Sequence, residues 1–425
     1  MWLEPFQVHI TNHQMEAALD RQAFRRVVNC LGLWVLKQDV FPVRKLLGNS
    51  KLLNLYNIKN VVASTEEGQE AGKVILLHPT LVESDLGSVL LSFPTSKVEH
   101  RQVVVEYANL PADEVLRALL PAGVEVPSGF ETVGHLAHLN LRPEQLPFKH
   151  RIGQVLLDKS NSNLKTIINK TGVIETQFRT FPMELLAGEN NYVVEAKCNG
   201  YRFRFDYSKV YWNSKLSEEH ERLSNKHFVS NQVLVVDAFC GVGPFAVRAA
   251  TKGCLVLAND LNPESVDSLA VNAKLNKVGW DDRRQLVGAR EKQTPQSGVI
   301  SAFNRDARQF LSRVFHSIVL PTTVSEVHVV MNLPAIAIEF LDALIGALPE
   351  TWTGPTPIVH CYCFAKDDVE RDRQQDVQAR IELVLQTTLD IQVRTVRDVA
   401  PKKYMMCASF PVPTCVESVK RARQL

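Results

Sequence analysis

No apolar run in this sequence approaches the roughly 20 residues that a membrane-spanning helix needs, and no short apolar core followed by small residues marks a secretory signal. A soluble, intracellular protein is expected. Cys-x-x-Cys pairs of the zinc type are missing too: of eight cysteines only Cys361 and Cys363 lie close together, so reduced thiols are the plain reading. His135 with His138, and His9 with His13, have ligand-like spacing but no cysteine or acid cluster to complete a site, so no metal is expected. Excess charge of one sign is also absent. A formal net charge of +2 excludes a global nucleic-acid signature and leaves room only for a local basic face. Finally, the dinucleotide fingerprint G-x-G-x-x-G is incomplete, because Ala246 stands three positions after Gly243.

What is present is a nucleotide-site pattern in residues 234–262, LVVDAFCGVGPFAVRAATKGCLVLANDLN. Leu234 to Asp237 is the short apolar run of a buried parallel strand. Gly241 and Gly243 then allow a tight turn and close approach of a ligand. A helix over about Phe245–Lys252 and a strand over Cys254–Ala258 follow, with Asp260 at the strand end, where an acid accepts from a ribose diol. A Gly-x-Gly turn between two acids, without a pyrophosphate signature, suits S-adenosylmethionine, which has an adenosine and an amino-acid tail but no phosphates.

A chain of 425 residues exceeds what one core usually serves, so two or three domains are expected. Residues 1–125 read as a small α+β domain: a helical start, strand-like Lys73–Leu77 and Gln102–Tyr107, and a helix over Ala112–Leu120. Pro121–Gly129 suits a linker. In 126–225, a second α+β domain, Gln154–Leu157 and Val193–Ala196 are strand-like and Lys and Arg outnumber Asp and Glu. The alternation in 201–212 sets Tyr201, Phe203, Phe205 and Tyr207 against Arg202, Arg204 and Asp206, a half-buried strand whose aromatics face a core rather than stack on bases. From about 226 to the end, strands at 234–237, 254–258, 298–304 and 326–331 with helices between them make a doubly wound parallel α/β sheet, and 281–297 reads as a charged surface loop.

Ligands of such sheets bind at the carboxyl ends of the strands, where two further features fall. Asp306, beside Ala307, follows the third strand and is placed to meet an adenine amine. Met331-Asn332-Leu333-Pro334 follows the fourth. There an Asn carbonyl can accept from an N–H while Pro fixes the backbone.

Upstream of the cofactor strand lies VYWNSKLSEEHERL, residues 210–223. It resembles the Y-W-N-P-R-L-S-T-E-H-x-R segment of the archaeal and eukaryotic tRNA (guanine-37-N1)-methyltransferases. DAFCGVGPFAV, ANDLNPES, LNKV, HVVMNLPAIAIEFL, IVHCY and VAPKKY resemble that family's later segments in the same order, and GHLAHLNLR, LPFKHRIGQVLLDK and FRTFPMELLAGE its middle domain. The resemblance implies a Rossmann-like class I methyltransferase domain behind two smaller α+β domains, the first recognising tRNA. It also implies a monomer acting on tRNA with guanosine 37, and transfer to N1 of that base. Relatives serve cytoplasmic, nuclear and mitochondrial tRNA. Arg21, Arg25 and Arg26, mixed with Glu4, Glu16 and Asp20, make a weak mitochondrial presequence.

By the same resemblance Glu219 is the base that removes the N1 proton, and Arg179 steadies the charge that spreads onto O6. Tyr211 shapes the donor site and His220 borders the cofactor. Asp237, Gly241, Gly243, Asp260, Leu261, Asp306 and Ala307 hold the donor, and Asn332 and Pro334 form the ledge between base and methyl. Lys149, Arg151, Lys402 and Lys403 are expected phosphate contacts. This chain departs from the family at Ser214-Lys215, where Pro-Arg is usual, and at Glu218, where Thr is usual; a carboxylate beside Glu219 is expected to raise its pKa. Two rivals are a wybutosine-pathway aminocarboxypropyl transferase, which should lack the Asn332-Leu333-Pro334 motif, and a catalytically silent tRNA-binding protein, which need not keep a residue for every role.

Overall fold

The structure, a computed structural model of the chain, describes residues 19–64, 72–127, 129–160, 163–172, 177–284, 294–366 and 372–413. The helical start expected in the first residues lies outside them. The chain divides into two compact units, Met1–Glu131 with Ala137–Lys170 and Glu184–Asn190, and Thr132–Leu136 with Thr171–Met183 and Asn191–Leu425. The stretch 126–225 is thus shared between them. No helix among the described residues is long and apolar enough to cross a membrane.

The first unit has an antiparallel sheet in which Arg26–Leu36 lies between Gly72–Leu76 and Lys97–Val105. The alternation of that central strand explains its two cores. Leu31, Leu33 and Val35 join Val43 and Leu47 of the helix Val40–Leu47 on one face, while Val28, Cys30 and Trp34 join Val115, Leu116 and Ile152 on the other. Residues Gln154–Leu157, expected as a strand, belong instead to the helix Lys149–Lys159. Buried Ile152, Val155 and Leu156 recur at helical spacing there, and a short apolar run cannot by itself distinguish strand from helix. The helix also corrects the reading of Arg151, which is 8% exposed and unavailable to a phosphate, while Lys149 pairs with Glu184 at 2.6 Å.

The second unit is built on eight strands: Val233–Asp237 (β1), Leu255–Asn259 (β2), Gly279–Asp282 (β3), Val299–Phe303 (β4), Glu326–Met331 (β5), Ile358–Lys366 (β6), Gln392–Ala400 (β7) and Lys403–Pro411 (β8). Their order is β3-β4-β2-β1-β5-β6-β8-β7. Pairing is parallel from β3 to β6 and antiparallel at β8 and β7. All five residues of β1 and of β2 are buried, as strands covered on both faces must be. The chain leaves β1 on one side through β2 and returns on the other through β5. A topological switch point therefore lies at the carboxyl end of β1.

Asp281 and Asp282, expected to open a surface loop, end the edge strand β3, and residues 285–293 of that loop lie outside the described residues. Acids are tolerated on an edge whose outer side faces water. Before the sheet, Val193–Cys198 and Tyr201–Asp206 form an antiparallel hairpin. Phe203 and Phe205 are buried against Trp212, with ring centroids 5.4 and 5.0 Å apart, so these aromatics serve a core.

The two glycines of the cofactor turn predict different costs. Both have positive φ, +52° at Gly241 and +98° at Gly243. A Cβ at Gly241 would meet nothing within 4 Å, whereas one at Gly243 would lie 2.3 Å from Leu269 Cδ1 and 3.1 Å from Val247 Cγ2. Gly241→Ala should cost about 1 kcal/mol of backbone strain. Gly243→Ala adds overpacking and should cost about 2–4 kcal/mol. Urea unfolding of the two variants checks the order, and equal losses would refute it.

Candidate functional site

The turn after β1 is fastened by backbone bonds from both neighbouring strands. Ala238 N–H donates to Val330 O at 3.0 Å and Cys240 N–H to Asn259 O at 2.9 Å. Asp260, just past β2, accepts from Gly241 N–H through Oδ2 at 2.8 Å and from Asn262 N–H through Oδ1 at 2.9 Å. The acid expected to bind a ribose thus already holds the glycine turn, with Leu261 half exposed beside it. Asp306 caps the helix Ala307–Val314, its Oδ1 accepting from the N–H groups of Arg308 and Gln309, and Ala307 is buried.

Asp237 is different. It is 0% exposed and neither carboxyl oxygen meets hydrogen-bonding geometry with a donor, although the nearby Phe239 N–H opposes part of the burial that raises its pKa. Burial, with the charge of Asp260 added, pushes its pKa up to about 8. Burial likewise raises Asp260 to about 6, held down in part by its backbone donors. Just past the adjacent strand β5, Asn332 has a buried Oδ1 that also lacks a partner. Pro334 is anchored to β6 by Phe364 N–H, which donates to its carbonyl at 3.0 Å.

Glu219 lies in the first turn of the helix Ser217–His227 and is 6% exposed. Arg222 donates to it from both Nε and Nη2 at 2.8 Å, Tyr362 Oη donates at 2.8 Å, and Arg394 Nη2 donates as well. Burial alone would raise its pKa, but these hydrogen bonds and the charge of Arg394 prevail and hold it below the usual carboxylate value. The rise expected from Glu218 does not occur, because Glu218 is exposed while two guanidiniums touch Glu219. His220 is buried with both ring nitrogens unpartnered, edge-on to Phe245 at 4.6 Å. Burial lowers its pKa to about 3, so it is neutral.

Arg179 has φ +58° and places its guanidinium 6.0 Å from the ring of Tyr211, which is 42% exposed. These two residues are brought together, as are Glu219 and His220 on one helix. The departing residues form the short turn Ser214–Leu216, capped by Asn213 Oδ1 on Lys215 N–H. Sequence reasoning missed Arg222, Tyr362 and Arg394. It also missed Asn272, whose Oδ1 accepts from Arg204 N–H at 2.6 Å while its Nδ2 donates to Val242 O at 2.9 Å, tying the hairpin to the glycine turn. Arg222 was legible as the third residue after Glu219 on a helix; the others needed the tertiary fold.

Two family models match the chain, the TYW2 N-terminal domain over residues 112–191 and the TRM5/TYW2 methyltransferase domain over residues 194–388. The tRNA (guanine(37)-N(1))-methyltransferase of Phytophthora infestans is 41% identical over 94% of this chain and 93% of its own length. The human protein of the same name is 39% identical over 94% of this chain and 76% of its own. Among solved structures, the complex of aTrm5 and tRNALeu shares the fold with a TM-score of 0.60 at 23% identity, covering 90% of this chain and all of that one. Trm5b from Pyrococcus abyssi does so with a TM-score of 0.57 at 24% identity, over 91% and 100%.

The raised pKa of Asp237 fixes a sign. Between the ordinary 3.8 and about 8 the folded protein binds more protons at this group than the unfolded chain does, so stability falls as pH rises through that window. Urea midpoints of the ligand-free protein at about pH 5 and about pH 8 should differ in that direction, and Asp237→Asn should flatten the difference. A slope untouched by the substitution would remove Asp237 as its source.

Proposed function

The chain belongs to the tRNA (guanine(37)-N(1))-methyltransferases, and from that premise we infer that it methylates N1 of guanosine 37 in tRNA with S-adenosylmethionine as donor. Within the chain, the observation that carries this reading furthest is the pair of buried acceptors left without hydrogens at the ends of β1 and β5, Asp237 and Asn332. Orphaned acceptors of this kind cost stability unless a ligand satisfies them. They fit a cationic nucleoside donor on one side and a base N–H on the other. The open space above Gly241 fits as well, since a ligand can approach its backbone.

S-adenosylmethionine, when bound, supplies a methyl group on a sulfonium leaving group. Asp237, Gly241, Gly243, Asp260, Leu261, Asp306, Ala307 and His220 would hold it. Asp237, largely protonated in the ligand-free protein at neutral pH, would ionise against its positive charge, and neutral His220 adds no repulsion. Asn332 Oδ1 would accept from the target base, with Pro334 keeping that ledge rigid through its bond to β6. Arg179, whose guanidinium lies 6.0 Å from the ring of Tyr211, would meet the negative charge that develops on guanine O6.

The carboxylate of Glu219 is ionised at neutral pH and so is able to accept the N1 proton. Its low pKa makes it a weak base while Arg222, Tyr362 and Arg394 all donate to it. Arg394, from β7, is the most separable of these partners in sequence. Its exchange for the guanine N1–H would remove one of the two donors on Oε2, leaving Arg222 Nε there, and raise the basicity of the carboxylate at the moment it is used. The Met331-Asn332-Leu333-Pro334 tetrad argues against the aminocarboxypropyl rival.

Methyl transfer from labelled donor to tRNA transcripts carrying G or A at position 37 tests the reading. The G transcript should be labelled and the A transcript should not. Glu219→Gln and Arg179→Ala should each lower kcat by roughly 10²-fold or more while tRNA binding is retained. Equal labelling of both transcripts would reject the target assignment. An undiminished Glu219→Gln rate would leave Glu219 as an anchor for Arg394 rather than the base.

A further inference from the structure

Three histidines from distant parts of the second unit meet at the far end of the helix that carries Glu219. His227 is the last residue of the helix that carries Glu219, His328 lies on β5, and His360 lies on β6. The register explains the meeting of the last two: Val330 pairs with His360, so His328 and His360 are diagonal neighbours on one face of adjacent parallel strands. One ring nitrogen of each of the three lies within 4.8 Å of those of the others. His328 Nδ1 and His360 Nε2 are 3.0 Å apart, in rings tilted by only 20°. His227 stands 4.8 and 5.0 Å from the two rings, centroid to centroid.

We propose that His227, His328 and His360 form a binding site for one divalent transition-metal ion of the zinc class. A tetrahedral ion with bonds of about 2.1 Å to nitrogen sets its ligands about 3.4 Å apart, which the observed separations bracket. The outer contacts are those that metal-bound histidines use. His328 Nε2 is 3.1 Å from Glu326 Oε2, and His360 Nδ1 is 2.9 Å from Ser409 Oγ. A carboxylate acceptor fixes the hydrogen of His328 on Nε2 and turns the Nδ1 lone pair to the centre. Ser409, directly opposite His360 in the β6–β8 register, can accept in the same way.

Without a metal, the same atoms form a chain in which Ser409 donates to His360 Nδ1, His360 Nε2–H donates to His328 Nδ1, and His328 Nε2–H donates to Glu326. Binding of the ion requires one change in that chain. The hydrogen of His360 moves from Nε2 to Nδ1 and is donated to Ser409 Oγ, so the imidazoles remain neutral and release no proton. Burial favours neutral imidazole in all three residues. His328 and His360 are buried and His227 is half-buried, so the site opens on the His227 side, where water can supply a fourth ligand. Imidazole ligands without thiolate suit zinc, and cobalt reports on the same geometry. Such an ion would fasten the far end of the Glu219 helix to β5 and β6.

The test is Co²⁺ titration of the untagged full chain after chelator treatment, followed by visible absorption and by thermal unfolding with Zn²⁺. One equivalent of Co²⁺ should give tetrahedral d–d bands, and Zn²⁺ should displace it and raise Tm by a few degrees. Half-buried His227 is the variant of choice because His227→Ala leaves both strands untouched. It should abolish the bands, and Ser409→Ala should weaken binding by about tenfold or more. Absence of the bands in the wild type, or bands that survive in His227→Ala, would overturn the site and leave the histidines as a hydrogen-bonded chain.

Discussion

One buried carboxylate holds together elements that the chain keeps far apart. Glu219 accepts four hydrogen bonds, two from its own helix and one each from β6 and β7. Removing either arginine would leave Glu219 paired with the other, whereas removing Glu219 would leave two guanidiniums facing each other without a counter-charge. The clamp therefore fixes where the helix Ser217–His227 starts. Because His220 follows on the same turn and packs against Phe245, the clamp also sets the wall beside the glycine turn. A group proposed as a base is, in the resting protein, a structural centre. Its chemistry then depends on which donor it can release.

The two acids that tip the first strands divide their labour in a way that their sequence context does not distinguish. Asp237 and Asp260 both end a buried run, and both read as ligand acceptors. Asp260 is spent on Gly241 and Asn262, so it shapes the cradle. Asp237 is left with unpaired oxygens in a dry position, which makes it the group that changes most when a cation arrives. The raised pKa of one and the fastened geometry of the other follow from which backbone N–H groups the turn brings near.

The strand–turn–helix–strand unit was legible because its signals are local: an apolar run, two glycines and an acid within some 30 positions, all visible along the chain. The tetrad after β5 was legible for the same reason. Gln154–Leu157 misled because its short apolar run fits either period, and Arg151 misled because a basic residue type does not reveal its burial. Tyr362 and Arg394 escaped because they reach Glu219 from 143 and 175 residues away. No periodicity in a single sequence encodes such a meeting. The same holds for His227, His328 and His360, which only strand register and a helix end bring together.

Asn272 ties the Tyr201–Asp206 strand to Val242 inside the glycine turn, and Asn276 repeats the link one helical turn later through Arg202. The hairpin therefore belongs mechanically to the sheet that follows it. A fragment cut just before Val233 would leave Asn272 and Asn276 without the strand that they bridge. The hairpin begins at Val193, one residue before the methyltransferase family match starts at residue 194. In shuffled or split versions of this enzyme, the hairpin would have to travel with the donor half.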